Sequence, residues 1–527
     1  MKRSSSFWFT LLIVAIIALG VFFRIANLEK KVFWHDEAYT VIRATGYEAR
    51  FISEKIFANK LITAGQLNQY QKEKPGSNAY DTVKSLAIED PQHPPFYFLG
   101  ARYWSKIWGY SLMSARILPV IISLLSIPFI YLLSLELFNS KLAAWLAVFF
   151  LTLSPVEIIF AQIARQYSLL TMLTLLSWLL LVRSLKIPDK RHWMYYAAVS
   201  TLGLYTHLFF GLVTASQGFF IFSCWLLNKK GKTETISIQN LTKFSLSIGV
   251  ACLLYLPWVI VFALNSGKAF NSTNWAQVQV LDLIFLLKLW LLSFSCTFSD
   301  IFFGFDNIFT YVYRFIFFII TIFSLYFIYK RCRMQTFLLI SIAIFMPFVL
   351  LAIPDILLIT IRSSVTRYLL SCFPGIYLAV GFLIAANLQN KNIFPKLLLI
   401  FLLLNSTVSN IYNTLSDTTW AKIPSYSNGE IARQINSSPP AILISDEGSD
   451  GTNIGDLLSL SYLLKPDTGL FLAGNPVDVK GLKRILETPG SSLFIFRPSN
   501  RLLLALDQFD LSLDFSPPIG KLKKLQN

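Results

Sequence analysis

Long apolar runs alternate with short polar stretches from the N-terminus to about residue 411, and then the pattern changes. A helix that crosses a bilayer needs roughly 20 apolar residues. Apolar runs of that order occupy 7–23, 117–137, 142–154, 167–184, 192–206, 208–227, 244–264, 309–329, 336–353, 366–387 and 393–411. They predict an all-α polytopic membrane protein with about eleven transmembrane helices. Two further stretches, 95–108 and 284–298, are apolar and aromatic but short. They predict helices lying in the membrane interface, the first because it also carries Arg102 and Lys106.

Between the first two spans lies a polar loop, 24–116, rich in both signs of charge. After 411 the apolar runs shorten. Ala441–Ser445 and Leu493–Phe496 predict strands, Gly455–Leu464 and Asn500–Gln508 predict helices, and Gly, Ser, Asn, Asp and Pro-Pro clusters predict turns. The expected organisation is a transmembrane domain over 1–411, including the loop 24–116, and a small α/β domain over 412–527.

Charge orients these segments. Met1-Lys2-Arg3 precedes the first run without a following A-x-A site, so an uncleaved first span with a cytoplasmic N-terminus is expected. Lys141; Arg183, Lys186, Lys190 and Arg191; Lys229, Lys230, Lys232 and Lys243; Lys330, Arg331 and Arg333; and Lys391 and Lys396 then all fall in inside loops. That is the positive-inside pattern, and counting 95–108 as a crossing would invert it. An odd number of spans puts the first loop and the tail on the outside.

Composition agrees. The 527 residues are 54% hydrophobic and 14% charged, against roughly 25% charged in a soluble domain, and mean hydropathy is +0.56. A single soluble domain, a collagen, a disordered chain and a disulfide scaffold are excluded. Cys224, Cys252, Cys296, Cys332 and Cys372 form no CxxC pair. The net charge of +17 does not imply nucleic acid. Residues 412–527 hold 11 Lys/Arg and 12 Asp/Glu, so the basic surplus lies in the membrane part, where short loops and lipid headgroups account for it.

Few charges lie within the spans, and Arg314 is the main interior candidate. An ion-coupled transporter keeps ionisable groups at mid-membrane, so the spans read as scaffold and the chemistry is expected at the outer surface. Asp36 and Glu37 are adjacent on an expected helix. Their side chains diverge by roughly 100°, so one can face a site while the other anchors the helix. Asp90 and His93 precede Pro94-Pro95, a rigid helix entry. Arg116, Arg165 with Tyr167, and Arg362 with Arg367 and Tyr368 flank outer loop ends. Each arginine alone could snorkel; together they form a cationic rim at the depth of a lipid phosphate, which a guanidinium binds in a fork. His207 could pack or touch substrate, and His192 sits in a basic loop. No GxGxxG or P-loop is present.

Four of these segments together resemble the GT-C membrane glycosyltransferases, nearest to glycosyltransferase family 39. That is the protein O-mannosyltransferase superfamily, with relatives that modify lipid A with aminoarabinose. The segments are the acidic pair Asp36-Glu37 after span one, acidic-x-x-His-Pro-Pro (Asp90, His93), Arg-x-x-Pro entering span two (Arg116, Pro119), and Ala-Arg-x-Tyr (Arg165, Tyr167). The resemblance covers 1–411 and not the tail. It implies a polyprenyl-phosphate sugar donor, an extracytoplasmic lipid, glycan or protein hydroxyl as acceptor, Asp36 at the position of the catalytic acid, Glu37 as second acid and Arg116 as a required arginine. The expected mechanism is a single inverting displacement with Asp36 as general base, Asp90, His93, Arg165, Tyr167, Arg362, Arg367 and Tyr368 binding substrate, and the arginines stabilising the departing phosphate. Gln92 stands where some relatives carry an acid, and His93 where the lipid A branch carries a lysine. No cofactor is required by the sequence. Asp36, Glu37, Asp90 and His93 are the groups that could bind a divalent ion, without diagnostic spacing. The rivals are a lipid-linked sugar flippase, for which no repeat, broken helix or buried charge stands out, a glycan polymerase or ligase, and a non-catalytic scaffold.

Overall fold

The protein is described here from a computed structural model covering residues 2–187, 189–228, 236–271, 273–388, 392–509, 511–516 and 519–524. Lys229, Lys230, Lys232 and Lys391 lie outside the described residues. The chain forms two compact units. One comprises 1–26, 90–97 and 116–414; the other comprises 27–89, 98–115 and 415–527.

The first unit is a bundle of long helices. All eleven expected spans contain a helix, and among the described residues eight helices are long and apolar enough to cross a membrane, or nine if one bent pair is a single span. Lys190–Thr206 and Phe373–Asn387 are shorter. The run 366–387 is not helical throughout. Thr366–Tyr368 is a 3₁₀ turn and the helix begins at Phe373, because Pro374 needs no N–H partner in a first turn and fixes the start there. The expected helices at 95–108 and 284–298 are present as Phe96–Trp108 and Leu283–Ser295.

Helices Lys141–Leu153 and Phe373–Asn387 form the inside of the bundle. In lipid the apolar tails do not drive helices together, so small residues and close approach must. Gly381 provides it: a Cβ there would stand 3.0 Å from Ala147 N and 3.4 Å from Ala143 O. Helix Ile238–Leu264 is peripheral, with 22% of its apolar window buried against 72% for Tyr167–Lys186.

The sequence showed no broken helix or buried charge beyond Arg314, and here the structure differs. Lys141–Leu153 and Pro155–Ala161 meet at a 54° bend. Pro155 has no N–H to give the preceding turn, so the carbonyls ending the first helix need other donors. Arg24, fully buried, donates to Thr152 O at 2.6 Å and Leu151 O at 3.4 Å, and Asn410 Nδ2 donates to Leu153 O at 2.8 Å. Inside a membrane an unsatisfied carbonyl costs several kcal/mol. The buried guanidinium therefore serves backbone at a helix break and does not mark an ion path. Glu157, just past the bend, is buried as well, with Tyr377 Oη donating to it at 3.5 Å. Arg314 is likewise engaged locally, donating to Ile301 O at 3.1 Å and lying 3.5 Å from Asp300.

The second unit is built on a six-stranded sheet. Its strands are β1 (Lys60–Thr63), β2 (Ala441–Ser445), β3 (Gly469–Leu472), β4 (Ser492–Ile495), β5 (Leu511–Ser516) and β6 (Ile519–Lys524), in the order β1-β3-β2-β4-β6-β5. β2 runs parallel to β3 and β4, and the other pairings are antiparallel. Alternate residues face opposite cores. Leu443, Leu470, Leu472 and Phe494 pack with Phe33, Ala38 and Ile42, whereas Ile442, Ile444, Phe471 and Ile495 pack with Leu482, Leu486 and Leu502. A strand of the first loop, β1, is thus an edge of the sheet built by the tail. Helix Phe96–Trp108 pairs both its charges with one carboxylate in this unit: buried Arg102 donates to Glu73 Oε1 at 2.7 Å and exposed Lys106 Nζ lies 2.9 Å from the same atom, while Tyr103, Ile107 and Trp108 are exposed.

Candidate active site

In the second unit, helix His35–Ala44 carries the acidic pair in its first turn, where negative charge is favoured by the unpaired N–H groups of a helix start. The two carboxylates have separate surroundings. Glu37 is fully buried; Trp34 N donates to its Oε2 at 2.9 Å and Lys422 Nζ lies 3.7 Å from it. It closes the helix start and pairs a buried lysine. Asp36 is partly exposed. Ala38 and Ile42, one turn apart on the buried face, enter the core against Ile454, Leu457 and Leu458 of helix Asn453–Ser461.

The two helices approach closely at Gly455. A Cβ there would stand 2.7 Å from His35 Nδ1 and from the Tyr39 ring. Gly455→Val should therefore lower the stability of this unit by about 1–3 kcal/mol. A thermal melt of the purified chain measures it, and an unchanged midpoint would mean that the helices do not meet as described.

In the first unit the segment 90–97 is held by Trp258, whose Nε1 donates to Pro91 O at 3.1 Å. His93 N closes a turn onto Asp90 O at 2.9 Å. The His93 ring lies between two charges. Its Nδ1 is 3.0 Å from Asp90 Oδ2, and its Nε2 is 2.9 Å from an Arg165 terminal nitrogen. Gln92 also donates to Asp90. Arg165 comes from the stretch after the helix break. That stretch is anchored by Gln162, whose Nε2 donates to Phe23 O at 2.8 Å and Ala26 O at 3.2 Å.

Aromatic rings floor the cluster. Tyr167 lies with its ring centroid 5.9 Å from the Arg165 guanidinium carbon, 5.2 Å from Phe160 and 6.2 Å from His207. Arg367 lies over Tyr368 at 5.2 Å and Trp275 at 5.8 Å, and Tyr368 packs on Phe209 at 4.6 Å. His207 lies between the short helix Lys190–Thr206 and helix Phe210–Asn228. Burial first, then the charges of His93, Arg165 and Arg367, push its imidazolium well below the ordinary range. Phe209 N donates to its Nδ1 at 3.1 Å, so His207 is a neutral ring with its proton on Nε2. The guanidinium groups of Arg165 and Arg367 give the cluster its positive charge, and that charge suits it to an anion.

The structure thus gathers Asp90, His93, Arg165 and Tyr167 of the sequence-based candidates, with Arg367 and Tyr368 joined to them through His207 and Phe209. Arg116 is fully buried in helix Leu112–Phe138. Arg362 stands in the 3₁₀ turn Arg362–Ser364, its N donating to Asp355 Oδ1 at 3.0 Å and its Nε buried with no partner among the described residues. His207 was not separable in sequence from a packed histidine, because only the fold brings Arg165 and Arg367 to bear on it. Among the described residues no group of three or more His, Cys, Asp or Glu side chains is arranged to hold a metal ion.

Residues 92–260 match the family described as dolichyl-phosphate-mannose-protein mannosyltransferase. No curated protein sequence matches the chain. Among solved structures the chain is similar to ArnT from Cupriavidus metallidurans in the apo state, with a TM-score of 0.53 and 14% identity over 98% of each chain. The same protein bound to undecaprenyl phosphate matches at 0.53 and 14% over 98% of this chain and 97% of that one. The apo oligosaccharyltransferase of Archaeoglobus fulgidus matches at 0.52 and 12% over 99% of this chain and 75% of that one. Bundle, mixed sheet and matched segment together identify the chain as a multi-pass membrane protein of the GT-C glycosyltransferase fold that carries, in residues 92–260, the sequence pattern of the dolichyl-phosphate-mannose-protein mannosyltransferase family.

Proposed function

We propose that the protein transfers a sugar from a polyprenyl-phosphate donor to a hydroxyl of an extracytoplasmic acceptor, in a bacterial plasma membrane, with the first loop and the tail outside. The observation that carries this is the contact of Arg165 with His93 inside a cluster that also holds Arg367 and neutral His207, within an apolar helical unit. One carboxylate, Asp90, faces His93 there. A phosphate diester on an apolar chain suits such a site, and the ArnT relative of the same fold is described bound to undecaprenyl phosphate.

In this mechanism Arg165 and Arg367, with Arg362, hold the donor phosphate and neutralise the charge that builds on it as the sugar leaves. Tyr167 and Tyr368 support the guanidinium planes, and Arg116 is a buried charge required for activity. Asp36 takes the proton of the acceptor hydroxyl, which attacks the sugar C1 from the face opposite the phosphate, with inversion. Glu37 is the positioning partner of Asp36, since it is engaged by the helix start and Lys422.

The test is mass spectrometry of glycolipids and glycoproteins from cells with and without this chain, joined to transfer by the purified chain in vesicles from a panel of undecaprenyl-phosphate hexoses and pentoses. Expected are an accumulated polyprenyl-phosphate sugar, one missing glycosylated product, and its restoration in vitro. Deletion that leaves every glycolipid and glycoprotein unchanged would refute the reading.

A further inference from the structure

The chain from Val32 to Glu37 is fastened to the tail at almost every step. Val32 N donates to Asp417 O at 2.7 Å, and Val32 O accepts Lys422 Nζ at 2.5 Å. Phe33 O accepts the Ser459 hydroxyl. Trp34 Nε1 donates to Ile423 O at 2.8 Å, and His35 N donates to Ser425 Oγ at 2.9 Å. The His35 ring then meets Asp456, Nδ1 to Oδ2, at 3.1 Å.

Asp456 is the hub. It is fully buried, yet it also takes Arg497 on Oδ2 and the Ser425 hydroxyl on Oδ1 at 2.8 Å. Arg497 follows β4 in a left-handed conformation, φ 44°, and its other terminal nitrogen donates to Pro424 O at 2.7 Å. The position of these groups in the sheet is informative. The chain leaves β2, pairs β3 on one side, and returns to build β4 on the other side of β2. In open α/β sheets the crevice beyond the strand ends at such a reversal is where ligands bind. Here Asp456, from the helix after β2, and Arg497, from the turn after β4, reach out from that reversal and grip His35.

We propose that Asp456 and Arg497 are positioning residues: the tail's sheet uses its switch point to hold His35, and so sets the orientation of the first turn of helix His35–Ala44 and of the Asp36 carboxylate that it carries. This rests on Asp36 being the base. The tail is then part of the catalytic apparatus without touching substrate.

The charges acting on His35 are those of Asp456, Asp36 and Arg497, with the Tyr39 ring packed beside it at 5.0 Å. Burial opposes the imidazolium most, but the Asp456 hydrogen bond and the charges of Asp456 and Asp36 outweigh it and hold His35 above its ordinary value; Arg497 acts the other way. For Asp456, burial opposes the carboxylate, and His35, Arg497 and Ser425 outweigh burial and hold it below the usual range. A raised histidine contributes its grip fully below its unfolded value and loses it as pH rises through the folded one. The grip should therefore weaken on the alkaline side.

The test uses the full chain in vesicles with the undecaprenyl-phosphate sugar panel, measuring kcat and KM against pH, with hydrogen exchange of residues 32–40 as a readout independent of activity. Asp456→Asn should lower kcat at least about tenfold, since small misplacements of a reacting group can cost on the order of 10²-fold. The donor KM should stay within about twofold. Its alkaline limb should move to lower pH, and residues 32–40 should exchange faster. Arg497→Ala removes a charge that opposes the imidazolium, so its limb should move the opposite way, to higher pH. Because the Arg497 side chain is 39% exposed, that variant keeps the test decisive if Asp456→Asn does not fold. Wild-type kcat, limb and exchange in every variant that folds would overturn the proposal. Faster exchange in Asp456→Asn alongside a fully active Asp36→Asn would uphold the positioning and reject Asp36 as base.

Discussion

Asp36→Asn should reduce turnover about 10²–10⁴-fold, the usual contribution of a positioned general base, and leave the melting midpoint nearly unchanged. Asparagine keeps the size of the side chain and removes its charge and its proton affinity. Asp36 is partly exposed, and the helix-start charge it gives up is worth about 0.3–1 kcal/mol. Its neighbour should behave in the opposite sense. Glu37→Gln leaves Lys422, 1% exposed, without its counter-charge, a buried-pair disruption on the order of 3 kcal/mol, so its first effect should be on the melt. Transfer rates and thermal midpoints of the two variants, measured side by side, separate base from anchor. A fully active Asp36→Asn protein would remove the base from the mechanism.

That separation was only half legible in the sequence. Adjacent positions on a helix diverge, so two roles were expected. Which carboxylate anchors depends on Lys422, almost four hundred residues away, and no spacing rule reaches it. The same limit explains the rest. The spans were legible because a bilayer-length apolar run has few other uses, and β2 was legible at Ala441–Ser445 because Ile-Leu-Ile sits between turn residues. β1, Lys-Leu-Ile-Thr within the polar loop, gave no such signal; it becomes a strand by pairing with β3. Arg24 was assigned to the loop because it ends an apolar run. It is buried because Pro155, on another helix, leaves carbonyls to be satisfied. The Asp90, His93 and Arg165 segments were visible as fragments, and their contact belongs to the fold.

Arg165→Ala should lower turnover about 10²–10³-fold, the typical loss when one preorganised donor to a developing negative charge is removed. Arg165 is held from both sides. His93, itself facing Asp90, meets one terminal nitrogen, and Gln162 ties the stretch just before it to the end of the first helix. A side chain already ordered in the ground state needs no reorganisation when the phosphate gains charge, so most of the loss should appear in kcat. Arg165→Lys should restore little, because an ammonium keeps the charge but not the planar fork. His93→Ala, which leaves the guanidinium in place and removes its guide, should cost less than Arg165→Ala. The measurement is kcat and donor KM for the three variants with the undecaprenyl-phosphate sugar panel. If Arg165→Lys were as active as the unaltered protein, bare positive charge would suffice and the fork would have no part in holding the phosphate.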